Sequence, residues 1–286
     1  MKPYTKNILR IGAGILVLLI IIGAWLYTGS LNETKLSVFS ATGAPLGIID
    51  YRLITAGQVK EKMKLSATSG VSAKLSFDQA LDAVIRDSKT LAVAQKYDAT
   101  AKSELINIAY EQAIVDSKQN QSDFEKNLQK EYHLSANDFK NSVLAPLYTE
   151  IALRSWYAQS QNLQKTNHDL MESLQTKAQN GENFEDLAKT YSQDEATKQL
   201  GGNLGFIPET KLLPELALAL SKAEKGNIIL AGSRTGLHLI QINNINDDAG
   251  TRTYDARQIF LKTTGFNDWI NQEQQKIRQH IFIGSR

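Results

Sequence analysis

Residues 11–32 carry no charged side chain, and their centre, residues 15–22, reads Ile-Leu-Val-Leu-Leu-Ile-Ile-Ile. An apolar run of about 20 residues has the length of a helix that crosses the hydrocarbon core of a bilayer. Lys2, Lys6 and Arg10 precede the run, and Glu33 is the first acidic residue after it. Basic flanks stay on the cytoplasmic side, so the expected topology is N-terminus in, with the chain from residue 32 onward outside the membrane. Trp25 and Tyr27 fall where an interfacial aromatic belt forms. The rival is a cleaved signal peptide, which needs a shorter apolar core and a small-x-small cleavage site. Residues 23–30, Gly-Ala-Trp-Leu-Tyr-Thr-Gly-Ser, put bulky side chains in the middle of that stretch. The expectation is therefore an uncleaved anchor over residues 11–31 behind a cytoplasmic tail of residues 1–10.

The rest of the chain must bury its own cores. A length of 286 residues suggests about two domains. Hydrophobic residues at 42% and charged residues at 22% are ordinary for a globular chain and exclude disorder throughout. With 32 basic against 30 acidic residues, nothing points to a nucleic-acid partner. The absence of cysteine excludes thiol catalysis, disulfides and thiolate metal sites. His133, His168, His238 and His280 are too scattered to suggest a metal cluster, and no cofactor or metal is expected.

Residues 36–51 mix apolar and polar types with Gly43, Pro45 and Gly47, and predict short extended segments and turns. A helix is expected over residues 58–65 and a flexible loop over residues 66–74. The period then becomes helical. Ser76 and Gln79 form a capping-box pattern ahead of Phe77, Ala80, Leu81, Val84, Ile85 and Leu91. A second helix after Thr100 carries Leu105, Ile108, Ala109, Ala113 and Ile114. Ser122 with Glu125 is expected to cap a third, with Phe124 and Leu128 inward. Ser135 is expected to cap a fourth, in which Pro146 marks a kink or a core contact. The segments "LDAVIRDSKTLAVAQKYDATAKSELINIAYEQAI" and "SDFEKNLQKEYHLSANDFKNSVLAPLYTEIAL" resemble the helical chaperone domain of SurA- and PrsA-like foldases. Tyr97-Asp98-Ala99-Thr100 stands at the place of that family's "YGVT" turn.

Further on, Phe184, Leu187 and Ala188 mark the buried face of a helix. Gly201-Gly202-Asn203-Leu204-Gly205 is a turn that suits glycine. A phosphate cradle is disfavoured, since no Lys-Ser/Thr follows these glycines and no helix begins at them. Pro214 opens a helix with Leu216, Ala217 and Leu220 inward, which Gly226 is expected to end. Residues 228–230 and 237–245 predict strands. Residues 254–262 predict another, making a hairpin with 237–245 across a polar turn. A short helix from residue 266 and a small strand at residues 280–283 close the chain.

The pieces "FEDLAKTYSQD", "GGNLGF", "LLPEL" and "GLHLIQI" together resemble the parvulin-type (PpiC-like) peptidyl-prolyl isomerase domain. That family opens on a strand with an "R-H-I-L" signature, which this chain lacks ahead of "FEDLA". Arg257-Gln258-Ile259 echoes the signature after the module instead, and Gln279-His280-Ile281-Phe282 echoes it again. A parvulin sheet places its first and last strands side by side. The fold expected is thus α+β: a transmembrane helix, a SurA-like helical domain over residues 32–165, and a parvulin-like antiparallel sheet with helices over residues 166–286. The parvulin-like module is permuted so that its first strand comes from the C-terminus.

The resemblance implies site residues. His238 matches the second family histidine, Gln258 stands at the first, Asp194 at an acidic or cysteine position (Glu195 by a one-residue shift), and Ser233 at a frequent threonine. These four make up the implied catalytic set. Leu204, Leu212 and Leu216 stand at the leucine, methionine and phenylalanine of the proline pocket and make up the implied substrate-binding set. Each also has a plain structural reading: the leucines as core, Asp194 as a turn cap, His238 as a bonded core histidine. Gln258 can donate and accept hydrogen bonds but cannot become charged.

The function implied is a membrane-anchored, extracytoplasmic prolyl isomerase and foldase, with unfolded or newly exported proline-containing chains as partners. Two alternatives stand beside it: a holdase on a catalytically degenerate parvulin fold, and a structural envelope protein. No Gly-x-Ser-x-Gly or His-Glu-x-x-His motif supports a hydrolase.

Overall fold

The computed structural model describes residues 27, 33–68, 75–248 and 251–283. The expected anchor, residues 11–31, lies outside these apart from Tyr27. Among the described residues no helix is long and apolar enough to cross a membrane. The chain divides into two compact units, residues 1–89 with 275–286, and residues 90–274.

In the first unit, helix α1 (Glu33–Thr42) replaces the extended start expected from residue 36. The glycines and the proline that suggested turns lie beyond its end, where Gly43 takes φ +67° and stops the helix as a C-terminal glycine does. Strands β1 (Pro45–Ile49) and β2 (Arg52–Thr55) form an antiparallel hairpin, followed by α2 (Ala56–Thr68), a longer helix than expected. The short C-terminal strand Gln279–Ile281 pairs with β1, setting His280 opposite Ile48. Phe39, Leu46, Ile49, Ile54, Val59 and Leu81 are fully buried at the centre of this unit. Helix α3 (Phe77–Lys96) begins as the capping pattern requires: Ser76 N donates to Gln79 Oε1 (2.9 Å) and Gln79 N to Ser76 Oγ (3.2 Å).

The second unit opens on the end of α3. The turn after it places Asp98 at φ +51°, where the resembling family has glycine. Helix α4 (Ser103–Ser117) follows, then α5 (Gln121–Asn127). The cap of α5 is Asn120 rather than Ser122: its side chain accepts from Asp123 N at 3.0 Å. Helix α6 (Ala136–Phe139) starts on a true capping box, Ser135 with Asp138. It passes through a π turn, Lys140–Leu144, into α7 (Ala145–Gln159). Pro146 therefore sits in the first turn after the π segment, and that wide turn absorbs the hydrogen bond a proline cannot donate. Leu105, Ala109, Tyr110, Ile114, Leu144, Tyr148 and Ile151 pack these helices together.

Helices α8 (Lys165–Gln179) and α9 (Phe184–Tyr191) lead into β3 (Asn203–Pro208), α10 (Pro214–Leu220), β4 (Ile228–Gly232), β5 (Gly236–Asp248), β6 (Thr251–Lys262) and α11 (Phe266–Gln275). Helix α10 ends at Leu220, ahead of the expected stop, and Gly226 instead turns the chain into β4 with φ +88°. The sheet is antiparallel throughout, in the order β3-β6-β5-β4. Strand β6 is thus an inner strand, with Leu239 opposite Ile259 on one side and Gly205 opposite Ala256 on the other. Successive strand residues point to opposite faces. Leu237, Leu239, Ile259 and Leu261 meet Met171, Leu174, Phe184 and Leu187 from α8 and α9 on one face. Ile240, Ile242, Tyr254 and Ala256 meet Leu216 and Leu220 of α10 on the other.

Candidate functional site

The second face carries a chain of polar side chains beside its apolar cluster. His238 lies on β5 between Leu237 and Leu239, so it faces away from the α8–α9 core. It is nevertheless buried, at 6% exposure. Its Nδ1 is 3.0 Å from Gln258 Oε1 on β6, and its Nε2 is 2.8 Å from Ser233 Oγ. Gln258 Nε2 donates to Asp194 Oδ2 at 2.7 Å, and Thr197 Oγ1 donates to the same oxygen at 2.5 Å. Ser233 Oγ accepts from Thr235 N at 3.1 Å and is 2.8 Å from Thr235 Oγ1. The ring of Phe260 lies 4.8 Å from that of His238, centroid to centroid. Asp194, Gln258, His238 and Ser233, drawn from segments up to 64 residues apart, therefore form one continuous hydrogen-bonded line.

Local structure explains how each comes into place. The end of α9 is pinned to β6: Gln193 N donates to the Phe260 carbonyl (2.8 Å) and Phe260 N to Ser192 Oγ (3.2 Å). This brings Asp194 within reach of Gln258. Asp194 also caps its own turn, since Oδ1 accepts from Ala196 N at 3.2 Å, so its structural and network roles coexist. Glu195 is exposed. The glycine turn is tied to the same point, Gln258 N donating to the Gly202 carbonyl at 2.8 Å. Gly202 takes φ +73°, and a Cβ there would overlap the Gln258 carbonyl oxygen. Glycine is required twice over, by conformation and by close approach.

Leu204, Leu212 and Leu216 come together in the apolar cluster of this face. Leu216 is buried at 6% exposure, and Leu204 and Leu212 pack against the cluster half-buried. Leu216 thus forms a floor, with the other two presenting surface above it. His280, the competing echo of the family signature, is on the strand paired with β1 and takes no part in this sheet.

Several contributors escaped the sequence. Glu215 on α10 is buried and forms a two-pronged ion pair with Arg234, both bonds 2.8 Å, while Arg234 N also donates to it at 3.1 Å. Burial alone would push the Glu215 carboxyl up; the bonds from Arg234 overcome this and hold it below the usual carboxylate range. The pair fixes the loop that presents Ser233. Thr197, Thr235 and Phe260 complete the surroundings. Thr197 and Thr235 are local, three residues after Asp194 and two after Ser233; Glu215, Arg234 and Phe260 depend on contacts across the fold. Burial lowers the His238 pKa, partly offset by the Gln258 bond and the charges of Glu215 and Asp194, so the ring is neutral at pH 7.

A group of potential metal ligands, His168, Asp169 and Glu172, lies on α8, away from this line. Lys165 already places a cation on Asp169, at 2.6 Å.

Residues 134–246 match the model of the PPIC-type PPIASE domain. The foldase protein PrsA of Oceanobacillus iheyensis is 31% identical over 90 residues, covering 31% of this chain and 30% of that protein. The chaperone SurA of Nitrosospira multiformis is 29% identical over 126 residues, 42% of this chain and 28% of that protein. A Bordetella pertussis protein named "Probable parvulin-type peptidyl-prolyl cis-trans isomerase" is 34% identical over 83 residues, 28% of this chain and 31% of that protein. The chain thus spans less than a third of the length of these relatives. A crystal structure of PrsA from Bacillus anthracis aligns over 68% of this chain and 85% of its own, at 19% identity and a TM-score of 0.23. The matched segment, beside relatives named as a foldase, a chaperone and a parvulin-type isomerase, shows that this chain carries a PPIC-type peptidyl-prolyl isomerase domain.

Proposed function

We propose that this protein is a membrane-anchored, extracytoplasmic peptidyl-prolyl isomerase that assists the folding of exported proteins. The observation that carries the proposal is the polar line Asp194–Gln258–His238–Ser233 on the same sheet face as Leu204, Leu212 and Leu216. Rotation about a peptide bond is opposed by amide resonance, a barrier of about 18–20 kcal/mol. Lowering it needs no covalent intermediate. The proline ring would sit on Leu204 and Leu212 above the Leu216 floor. An imide seated there loses water from its carbonyl, which favours the less polar, twisted form. His238 and Ser233 hold the wall beside it, and their bonds to each other leave neither poised as a nucleophile.

The module is read as permuted. Strand β6 stands beside β5, where a parvulin's first strand stands beside its last. The family match ends at residue 246, ahead of β6. In this division residues 32–165 are the chaperone part, which holds extended chains, and residues 166–286 supply the isomerase part, apart from the strand Gln279–Ile281 that pairs with β1. The charge-free run of residues 11–31 supports the anchor and the extracytoplasmic placement.

The test is catalysed cis/trans isomerisation of a prolyl peptide by the full chain in detergent micelles, beside a His238→Ala variant. Catalysis by the unmodified chain, reduced at least tenfold in the variant, is the expected result. Two observations favour a second reading, a holdase without catalysis: Gln258 cannot titrate, and Leu216 is too buried to offer a proline an open wall. Suppression of client aggregation with no isomerisation would select the holdase.

A further inference from the structure

We propose that Asp194 and Gln258 are positioning residues that hold His238 in a single tautomer, with the proton on Nδ1, so that the Nε2 lone pair is kept for Ser233. Which nitrogen of a neutral imidazole carries the proton is decided by its partners, and here the partners leave one solution. Asp194 is an acceptor only, and its Oδ2 lies 2.7 Å from the Gln258 amide group. The amide must therefore turn its NH₂ toward Asp194; the flipped amide would set carbonyl against carboxylate. That leaves Oε1, an acceptor, 3.0 Å from His238 Nδ1. Nδ1 must then be the donor and Nε2 the acceptor, which the Ser233 hydroxyl satisfies at 2.8 Å. Thr197 Oγ1 and Ala196 N hold the Asp194 carboxylate from its own turn. Every bond from Ser233 to Asp194 thus runs in one direction.

A histidine at position 258 could pass its proton along the line and take up charge. A glutamine cannot, so the line is an orienting device. The other groups facing the ring do not supply a competing proton: Phe260 is apolar, Glu215 is neutralised by Arg234, and Ser233 and Thr235 are neutral hydroxyls. The functional consequence rests on the isomerase reading: prolyl isomerisation should vary little with pH through the range where a free histidine titrates, about pH 5.5–7.5. The tautomer itself does not depend on that reading.

The experiment is ¹⁵N NMR of the histidine-labelled full chain in detergent micelles. His238 is identified as the signal pair missing from His238→Ala. The expected result is a protonated Nδ1 and an unprotonated Nε2 that persist below about pH 6.5, where an ordinary histidine becomes charged. Asp194→Asn, which can offer either a donor or an acceptor to the amide, should mix the two tautomers, and Asp194→Glu should restore the single form. A His238 carrying its proton on Nε2 in the unmodified chain overturns the proposal. So does a single Nδ1–H form that survives Asp194→Asn unchanged. The unmodified protein, with the His238→Ala assignment, decides alone if the Asp194 variants fail to fold. A locked tautomer without prolyl turnover would remove the isomerase reading and leave the lock standing; turnover with the proton on Nε2 would do the reverse.

Discussion

The two faces of the four-stranded sheet are made from alternate residues of the same strands, but they are built to different ends. Under α8 and α9, every buried residue of the cluster is apolar, and Leu237, Leu239 and Ile259 have no exposure at all. On the opposite face, apolar packing against α10 gives way along β5 and β6 to His238 and Gln258, and Leu204 and Leu212, packed against that apolar cluster, are only half-buried. One face supplies stability, and its interlocking fixes the strand register. The other can then carry buried polar groups, each of which is costly unless bonded.

Breaking the closed face should produce the largest effect. Leu239→Ala removes a fully buried side chain from the α8–α9 cluster and should destabilise the fold by about 2–5 kcal/mol. Urea unfolding followed by tryptophan fluorescence measures this. The folded fraction should keep its prolyl-bond activity, because Leu239 points away from His238. A loss of activity per folded molecule would mean that the faces are not separable.

The site face should respond differently, to added volume as well as to its loss. Leu216→Phe restores the residue type of the resembling family. Leu216 is 6% exposed among Leu220, Ala223, Ala231 and Ile240, so the larger ring has no free space and should cost about 1–3 kcal/mol. An unchanged urea midpoint would show that the leucine floor is loose and open to a substrate ring.

The division between the faces was only partly visible in the sequence. Alternation in residues 237–245 and 254–262 gave the hairpin. The glycine turn, the helix from Phe184 and the helix opened by Pro214 carry local signals of period, conformation and cap. The four polar residues and three leucines were located through family resemblance, and the fold brings the polar residues into one line and the leucines into one cluster. Part of what stayed hidden depends on distant partners. Glu215 and Arg234 are 19 residues apart and neither flanking pattern announces an ion pair. Asn120 competed with Ser122 as a cap, and both are good capping types. The π turn before Pro146 has no residue signature of its own. Helix α1 has no clear signal of its own, because Gly43, Pro45 and Gly47 mark turns only in the segment they occupy and not in Glu33–Thr42 before them.

The smallest predicted effect separates the faces by pH. His238 is buried with its pKa lowered, so in the folded chain the ring stays neutral below the point where the unfolded chain takes up a proton, near the ordinary value of 6.5. Below that pH the unfolded state binds more protons than the folded state, and stability falls as the pH drops. The loss stops growing once the pH passes the lowered folded pKa. Glu215 acts in a separate window: its stabilising contribution is present above its ordinary value of 4.5 and is lost as the pH falls through its lower folded pKa. Of these two groups, His238 gives the first loss of stability on mild acidification. The bond from Gln258 and the charges of Glu215 and Asp194 oppose the effect of burial, and this loss is expected to be the smallest of the three. Urea midpoints at pH 7 and near pH 5.5 measure it. His238→Gln, which keeps an amide in the line but cannot titrate, should narrow the gap between the two midpoints. An identical gap would mean that His238 is as free to take up a proton in the folded chain as in the unfolded one, and the site face would then be open to water at its centre.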